Sequence, residues 1–198
     1  MLVRDVMTSP AVTLPPDTPL KQALVMLDQH AVTMMPVTNA SGQIVGVLSE
    51  ADVLRDNVPT ETPLEPAPTA DGNADQGSRP IAKLMNRHPV TVLATEDLAT
   101  AAQLMSDAAV KSLPVVDEDD RVLGVISRRD IVHVLARTDD AIERDLVDLL
   151  RRIGTDWTVD VRDGTVTVGG AIRPAERALA ELAAMTVLGV RAVSVDPD

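Results

Sequence analysis

The sequence of 198 residues contains no cysteine, phenylalanine or tyrosine, and Trp157 is its one tryptophan. Without cysteine there can be no disulfide, no thiolate nucleophile and no cysteine-ligated metal site. With a single tryptophan and no phenylalanine or tyrosine, there is no platform on which successive bases of a single-stranded nucleic acid could stack. The core must therefore be built from aliphatic side chains, and nucleophilic catalysis by cysteine is excluded.

Positive charge is also scarce, and the formal net charge is −12 at pH 7. This balance argues against nucleic acid as the main partner, because a phosphate backbone binds basic surfaces. No apolar run approaches the roughly 20 residues that span a bilayer, and the first residues lack a signal-peptide pattern. We therefore expect a cytoplasmic protein.

Sequence motifs for catalysis and metal binding are missing as well. The three histidines, His30, His88 and His133, do not lie at ligand spacing. There is no Gly-x-x-x-x-Gly-Lys phosphate loop and no Gly-x-Ser-x-Gly nucleophile elbow. We expect neither an enzyme nor a metal site.

A tandem repeat organises what is present. Residues 1–56 and 81–137 form two similar copies. From Met7 to Asp52 the first copy aligns with the second without a gap, at an offset of 78 positions that takes Met7 to Met85. The same offset relates several further pairs: Val12 and Val90, Ala31-Val32 and Ala109-Val110, Pro36-Val37 and Pro114-Val115, Gly46-Val47 and Gly124-Val125, Ser49 and Ser127, and Asp52 and Asp130. So many matches in register indicate an internal duplication.

Each copy contains a corner at which a strand leads directly into a helix. The corners are Gly46-Val-Leu-Ser-Glu-Ala-Asp52 and Gly124-Val-Ile-Ser-Arg-Arg-Asp130. The first N–H groups of a helix and its dipole favour an anion such as phosphate, and a carboxylate one turn later can accept hydrogen bonds from ribose hydroxyls. A Ser-x-x-Asp capping box that needs no ligand explains the same residues.

The pattern of apolar and turn residues predicts an α+β protein. Each repeat has the order β-α-β-β-α, with Val12-Thr13-Leu14 as the first strand of the first copy. Residues 57–80 are acidic and rich in proline, so we expect a disordered linker. Residues 138–198 predict a smaller α-β-β-α-β unit, with Asp163-Gly164 as a hairpin turn.

The repeat resembles the tandem cystathionine β-synthase (CBS) domain pair, or Bateman module. The resemblance is carried by Asp5-Val6-Met7-Thr8, by Met35-Pro36-Val37 and Leu113-Pro114-Val115, and above all by Gly-Val-x-Ser-x-x-Asp in both copies. It implies a pseudo-symmetric pair with two clefts for an adenosine-type ligand (AMP, ADP, ATP or S-adenosylmethionine). It also implies homodimers and no required cofactor.

The resemblance places residues of both repeats in each cleft. In the favoured cleft, Asp130 would bind ribose and Ser127 with Arg128 or Arg129 the phosphates, and further contacts would come from Val125, Thr8, Val12, Val32 and Thr33. The second cleft would contain Asp52, Ser49, Val47, Asn86, Val90, Val110 and Lys111. We favour the Asp130 cleft for a charged nucleotide because arginines engage phosphate oxygens, whereas Glu50 beside Ser49 repels them.

Residues 138–198 resemble a BON domain through Asp163-Gly-Thr-Val-Thr-Val-Gly-Gly170 and Gly189-Val-Arg-Ala-Val193. Such domains are associated with phospholipid or protein partners. The sequence as a whole predicts a non-enzymatic regulator, with the CBS pair as nucleotide sensor and the BON domain as output or docking module. Two alternatives stay open: a dimerisation scaffold with empty clefts, and a lipid-associated protein that acts through the BON domain.

Overall fold

The computed structural model describes residues 1–57 and 76–197, which form two compact units. The units are Leu2–Arg128 and Arg129–Asp198. The boundary lies at the start of a helix that directly follows the second repeat's last strand, so the two repeats share the first unit almost completely.

The first repeat is a helix, a β-hairpin and a second helix. Its elements are α1 (Leu20–Gln29), β1 (Met34–Thr38), β2 (Ile44–Ser49) and α2 (Glu50–Asn57). The strands are antiparallel, with Met34 opposite Ser49 and Pro36 opposite Val47. Because β2 ends at Ser49 and α2 begins at Glu50, the predicted strand-to-helix corner is present.

The second repeat follows the same plan with one additional strand. Its elements are β3 (Val92–Leu93), α3 (Leu98–Asp107), β4 (Ser112–Val116), β5 (Val122–Ser127) and α4 (Arg128–Leu135). Strand β3 is parallel to β4, and β4 is antiparallel to β5. The predicted β-α-β-β-α order is therefore complete in this copy.

The prediction of a first strand at Val12-Thr13-Leu14 in the first repeat is wrong, because the structure has no strand there. Only Leu14 forms a bridge there, to Val37. In the second repeat the amide of Ala94 donates to the carbonyl of Val116 at 3.2 Å. The equivalent residue in the first repeat is Pro16, which has no N–H group to extend the ladder.

A pseudo-two-fold relation connects the repeats, because contacts between them occur in pairs offset by 78 residues. The bridge between Val47 and Asn86 corresponds to that between Thr8 and Val125, and the bridge between Pro19 and Pro80 to that between Leu2 and Asp97. Gln43 and Arg121 pair with each other across the centre. The duplication in the sequence thus appears as a symmetric body in the structure.

The first residues of each repeat pack on the other copy. The amide of Val3 donates to the carbonyl of Glu96 at 2.8 Å, and that of Ile81 donates to the carbonyl of Thr18 at 2.9 Å. Ile81 and Met85 complete an aliphatic core with residues of the first repeat: Leu14, Leu20, Ala23, Leu27, Met35, Val37, Leu48 and Val53. Each repeat therefore depends on the other for its packing.

The C-terminal unit has the helix–strand–strand–helix–strand order that the sequence predicts. Its elements are α5 (Asp139–Arg152), β6 (Thr158–Arg162), β7 (Thr165–Gly170), α6 (Arg177–Met185) and β8 (Ala192–Pro197). Strand β7 lies between antiparallel β6 and parallel β8. Asp163 and Gly164 join β6 to β7 with φ of 50° and 72°, as the predicted two-residue turn requires.

The predicted linker, residues 57–80, differs from the structure at both ends. Asn57 closes α2, and Gln76–Ser78 form a 3-10 turn. The amide of Leu20 donates to the carbonyl of Arg79 at 2.9 Å, so the end of this segment is held at the start of α1. Residues 58–75, on which the rest of this prediction falls, lie outside the described residues. Within the part of the chain that is described, no helix is long and apolar enough to cross a membrane.

Candidate functional site

A cavity of about 390 Å³ lies in the first unit beside the corner between β2 and α2. Its volume falls within the roughly 300–1,000 Å³ typical of small-molecule sites. It is lined by all seven residues predicted for the second cleft: Val47, Ser49, Asp52, Asn86, Val90, Val110 and Lys111. The structure thus brings residues of both repeats to one cavity, as the tandem arrangement predicts.

Ser49 and Asp52 form a reciprocal capping box at the start of α2. The Ser49 hydroxyl donates to Asp52 Oδ2 at 2.6 Å, and the Ser49 amide donates to the same oxygen at 3.0 Å. The Asp52 amide donates back to Ser49 Oγ at 3.3 Å. The capping explanation of this motif is therefore correct for the first repeat, although both residues also line the cavity.

The second carboxylate oxygen of Asp52 has a weaker partner. Asp52 Oδ1 lies 3.5 Å from Nη1 of Arg55, whose side chain is 78% exposed. The Asp52 side chain is itself only 10% exposed. Asp52 lines the cavity, and a carboxylate held in place through one oxygen can accept hydrogen bonds from a ligand's hydroxyl groups through the other.

Two further charged side chains line the cavity, one from each repeat. Glu50 begins α2, and Lys111 immediately precedes β4. Their signs are opposite, so the cavity contains both an acceptor and a donor of charged hydrogen bonds. Lys111 lies on the loop contributed by the second repeat, where it can meet a ligand bound to the Ser49 corner.

The remaining wall is largely aliphatic. Pro89, Val90, Ala109 and Val110 line it, and Val90 is 39% exposed. In the absence of aromatic residues, such side chains provide the apolar surface against which a planar base can lie. The cavity therefore combines an apolar wall with a few convergent polar groups, which is the usual composition of a ligand site.

The structure positions part of the predicted Asp130 cleft. The amides of Thr8 and Val125 each donate to the other's carbonyl, at 2.9 and 3.0 Å, and Val12 is 36% exposed. Ser127 closes β5 and has interactions of its own, as does Asp130. Arg129 and Asp130 belong to the C-terminal unit, so this cleft stays a prediction.

Three other residues assigned to that cleft have different surroundings. Thr33 lines the Asp52 cavity, because its carbonyl accepts from the Glu50 amide at 3.0 Å and holds it beside its own repeat's corner. Val32 lines a groove between α1 and α2. The Arg128 guanidinium donates to the carbonyl of Met105 at 3.1 Å, which directs it towards α3 of its own repeat.

Sequence reasoning missed several residues of the Asp52 cavity, namely Arg55, Pro89, Ala109 and Ser112. Arg55 could have been found, since it lies one turn after Asp52 on the same helix face. The others adjoin residues that were predicted, and their inclusion depends on how the loops bend. Throughout residues 1–57 and 76–197, no three His, Asp or Glu side chains cluster in a way that could hold a metal ion.

Comparison with known proteins identifies the family. The sequence model of the CBS domain matches residues 3–57 and 81–137, which together make up more than half of the chain. The chain belongs to the CBS domain family. The two matches coincide with the two repeats, so the resemblance inferred from the Gly-Val-x-Ser-x-x-Asp corners is confirmed for this part of the chain.

Relatives and solved structures cover the same part. A CBS domain-containing protein of Dictyostelium discoideum is 27% identical over 137 residues, which are 69% of this chain and 92% of that protein. The crystal structure of CBSX2 in complex with AMP is 28% identical and covers 67% of this chain and 93% of that one, with a TM-score of 0.54. The CBS domain pair of protein MJ0100, in complex with 5′-methylthioadenosine and S-adenosyl-L-methionine, is 23% identical, covers 68% of this chain and 94% of that one, and has a TM-score of 0.55.

These likenesses agree with a CBS-pair fold of mixed α+β type. Proteins with such pairs are generally regulatory rather than catalytic. The structures of CBSX2 and of the MJ0100 pair contain adenosine compounds. The named structures match about two thirds of this chain. The BON assignment of residues 138–198 stays a prediction.

Proposed function

We propose that this protein is a regulatory sensor that binds an adenosine-type ligand between its CBS repeats. The observation that carries the proposal is the cavity beside Asp52, where a capping serine and aspartate of one repeat face a lysine and two valines of the other. Because the ligand would touch both repeats, its binding would favour the packing of the pair that forms the best cavity. The AMP complex of the related CBSX2 supports this choice of ligand class.

Each part of an adenosine ligand has a counterpart in the cavity. The accessible oxygen of Asp52 would accept from the ribose hydroxyls, and Lys111 would meet a phosphate or the 5′ end. Val90 and Val110 would cover the base. The Asp130 cleft, with Ser127 and Arg129, remains the proposed second site.

The C-terminal unit is proposed to be a BON domain that acts as the output module of the sensor or as its docking module for a partner. It follows directly from α4, the helix that contains Asp130, so a change in the CBS pair can reach it along the chain. Hydrogen–deuterium exchange of the full chain, with and without ligand, tests this. Altered protection within residues 139–197 is expected, and unchanged protection on saturation would contradict the coupling.

Thermal unfolding tests ligand binding directly. Adenosine, AMP, ADP, ATP and S-adenosylmethionine are each added to the wild type, to Asp52→Asn and to Asp130→Asn. Glu118→Gln, an exposed acid in the turn between β4 and β5, serves as a charge-matched control. A ligand at 100 times its dissociation constant adds about 2.7 kcal/mol to the free energy of unfolding.

We expect at least one compound to raise Tm in the wild type and in Glu118→Gln, and to lose most of this effect in Asp52→Asn. An effect that disappears only in Asp130→Asn would move the site to the other cleft. If no compound raises Tm in any of these proteins, the sensor proposal is wrong and a scaffold with empty clefts takes its place.

A further inference from the structure

The two repeats carry opposite charges at equivalent positions of their corners. Glu50 begins α2, and Arg128 begins α4 78 residues later. The Glu50 amide donates to the Thr33 carbonyl at 3.0 Å, and the Arg128 amide donates to the Lys111 carbonyl at 2.9 Å. The backbones of the two corners therefore match. Their side chains differ in charge, because the first corner has Glu50 and Ala51 where the second has Arg128 and Arg129.

Four charged side chains line the Asp52 cavity: Glu50, Asp52, Arg55 and Lys111. Two are acidic and two are basic, so their formal charges cancel. Arg55 is the ion-pair partner of Asp52. Within the described residues, neither Glu50 nor Lys111 has a side-chain hydrogen bond or an ion pair, which leaves one carboxylate and one ammonium group to meet the ligand.

We infer that the Asp52 cavity selects adenosine ligands with at most one phosphate, and that Glu50 sets this limit. The inference rests on the proposed function and specifies its ligand. Lys111 can offset one phosphate group, because a single ammonium is a compact charge. Each further phosphate adds negative charge, which the Glu50 carboxylate at the start of α2 repels. With a basic or neutral residue at this position, the start of the helix would favour an anion.

Glu50 is the first residue of α2, at the end of a helix that attracts anions. In the second repeat, the equivalent residue is Arg128, whose guanidinium donates to the Met105 carbonyl, so the first residue of that helix carries no negative charge. In the first repeat, the negative charge of Glu50 offsets the positive end of the α2 dipole and so reduces the attraction of this helix start for a phosphate. The two clefts of this chain are thereby expected to prefer ligands of different charge, and the Asp52 cavity to prefer the less anionic one.

Calorimetric titration of the full-length chain tests the inference. The Asp130→Asn background confines strong binding to the Asp52 cavity, and adenosine, AMP and ATP are titrated at fixed ionic strength. We expect AMP to bind at least about tenfold more tightly than ATP. Glu50→Gln should raise the ATP affinity about tenfold and change the adenosine affinity much less, and Glu50→Arg should raise the ATP affinity further.

Lys111→Met supplies the complementary measurement. It should weaken AMP about tenfold and adenosine much less, because the contact with the phosphate is removed. Glu118→Gln controls for the change in net charge that Glu50→Gln makes and should alter none of the three affinities. The Tm of each variant without ligand confirms that it is folded.

The outcomes separate the two ideas. If none of the three compounds binds at millimolar concentration to the folded Asp130→Asn chain, the proposed function of this cavity and the inference both fail. If adenosine compounds bind but ATP equals AMP, and Glu50→Gln leaves their ratio unchanged, the proposed function stands and the charge limit is overturned.

Discussion

Val47 and Asn86 form a reciprocal pair of backbone hydrogen bonds, each amide donating to the other's carbonyl at 2.9 Å. Val47 lies in β2 of the first repeat, whereas Asn86 lies near the start of the second repeat. Thr8 and Val125 form the equivalent pair. Both residues of the first pair line the Asp52 cavity, so the contact that joins the repeats also builds the site.

This close approach predicts that Gly46→Ala destabilises the CBS pair. A Cβ atom at Gly46 would lie 2.7 Å from the Asn86 carbonyl oxygen and 2.9 Å from the Met85 sulfur. Since the backbone oxygen cannot move without breaking the pair, we expect a loss of about 1–3 kcal/mol in the free energy of unfolding. Urea unfolding measures it.

Two further alanine variants calibrate this result. Gly124→Ala should cost a similar amount, because its Cβ would meet the Thr8 carbonyl oxygen at 2.7 Å. Gly77→Ala should have little effect, since its nearest neighbour would be Lys21 Cβ at 3.6 Å. Equal stability of Gly46→Ala and Gly77→Ala would refute the close-contact argument.

Ser49→Ala is expected to weaken both the helix start and ligand binding. It removes the hydroxyl that donates to Asp52 Oδ2 at 2.6 Å and accepts from the Asp52 amide. Loss of an N-cap of this type costs about 1 kcal/mol. Ser49→Thr retains the hydroxyl and should restore both the stability and the ligand affinity, measured by urea unfolding and calorimetry.

A different pattern would change the interpretation of Ser49. If Ser49→Ala lowers stability but leaves the affinity for the bound nucleotide unchanged, Asp52 does not need the capping contact for its position. The serine would then serve the fold alone, as the capping explanation of Ser-x-x-Asp suggests.

Much of this arrangement was predictable because the repeat relates residues by a fixed offset. Once Gly46-Val47 and Gly124-Val125 are aligned, the two corners are recognised as equivalent, and the resemblance to the CBS domain pair then implies the seven residues of the Asp52 cavity. The order of the C-terminal elements was likewise visible, because alternation and the Asp163-Gly164 turn are local features.

Other features depend on packing and were not predictable. The exchange of leading segments, seen in the contacts of Val3 with Glu96 and of Ile81 with Thr18, joins residues far apart in sequence. The direction of the Arg128 guanidinium towards the Met105 carbonyl is decided by α3. Pro16 is a sequence signal for the missing strand, because proline cannot donate a ladder hydrogen bond. Its effect becomes evident only by comparison with the second repeat, where the Ala94 amide donates to the Val116 carbonyl.

Asp97 is expected to make the stability of the CBS pair depend on acid pH. It caps α3, and the Thr100 amide donates to its carboxylate at 2.7 Å. This hydrogen bond, with one from the Thr100 hydroxyl, lowers the pKa of Asp97 below its ordinary value of 3.8. A lowered pKa stabilises the folded state above pH 3.8, and the stabilisation disappears as pH falls through the folded value.

Asp97→Asn tests this dependence, since asparagine retains the cap without a titrating carboxylate. The wild type should have the higher Tm at pH 7, and the difference should shrink as pH falls below about 4. Glu118→Gln, which alters an exposed turn, should show no comparable convergence. A difference between wild type and Asp97→Asn that is constant from pH 7 to pH 3 would contradict the assignment.

Asp139 is expected to stabilise the C-terminal unit by joining its first helix to its hairpin. The Asp139 carboxylate at the start of α5 accepts from the amides of Asp163 and Gly164 at 2.7 and 2.9 Å. These amides lie in the tight turn, where no strand partner is available to them. Asp139→Ala removes both acceptors and should cost about 1–2 kcal/mol.

Asp140→Ala is the matched control, because this neighbouring acid is exposed and equally close to the helix start. Both variants lose one favourable charge at the N-terminus of α5, so any excess loss in Asp139→Ala reports the turn contacts. Hydrogen exchange of the Asp163 and Gly164 amides gives the direct measurement. They should exchange faster in Asp139→Ala than in Asp140→Ala, and equal rates would show that the turn is held by its own geometry.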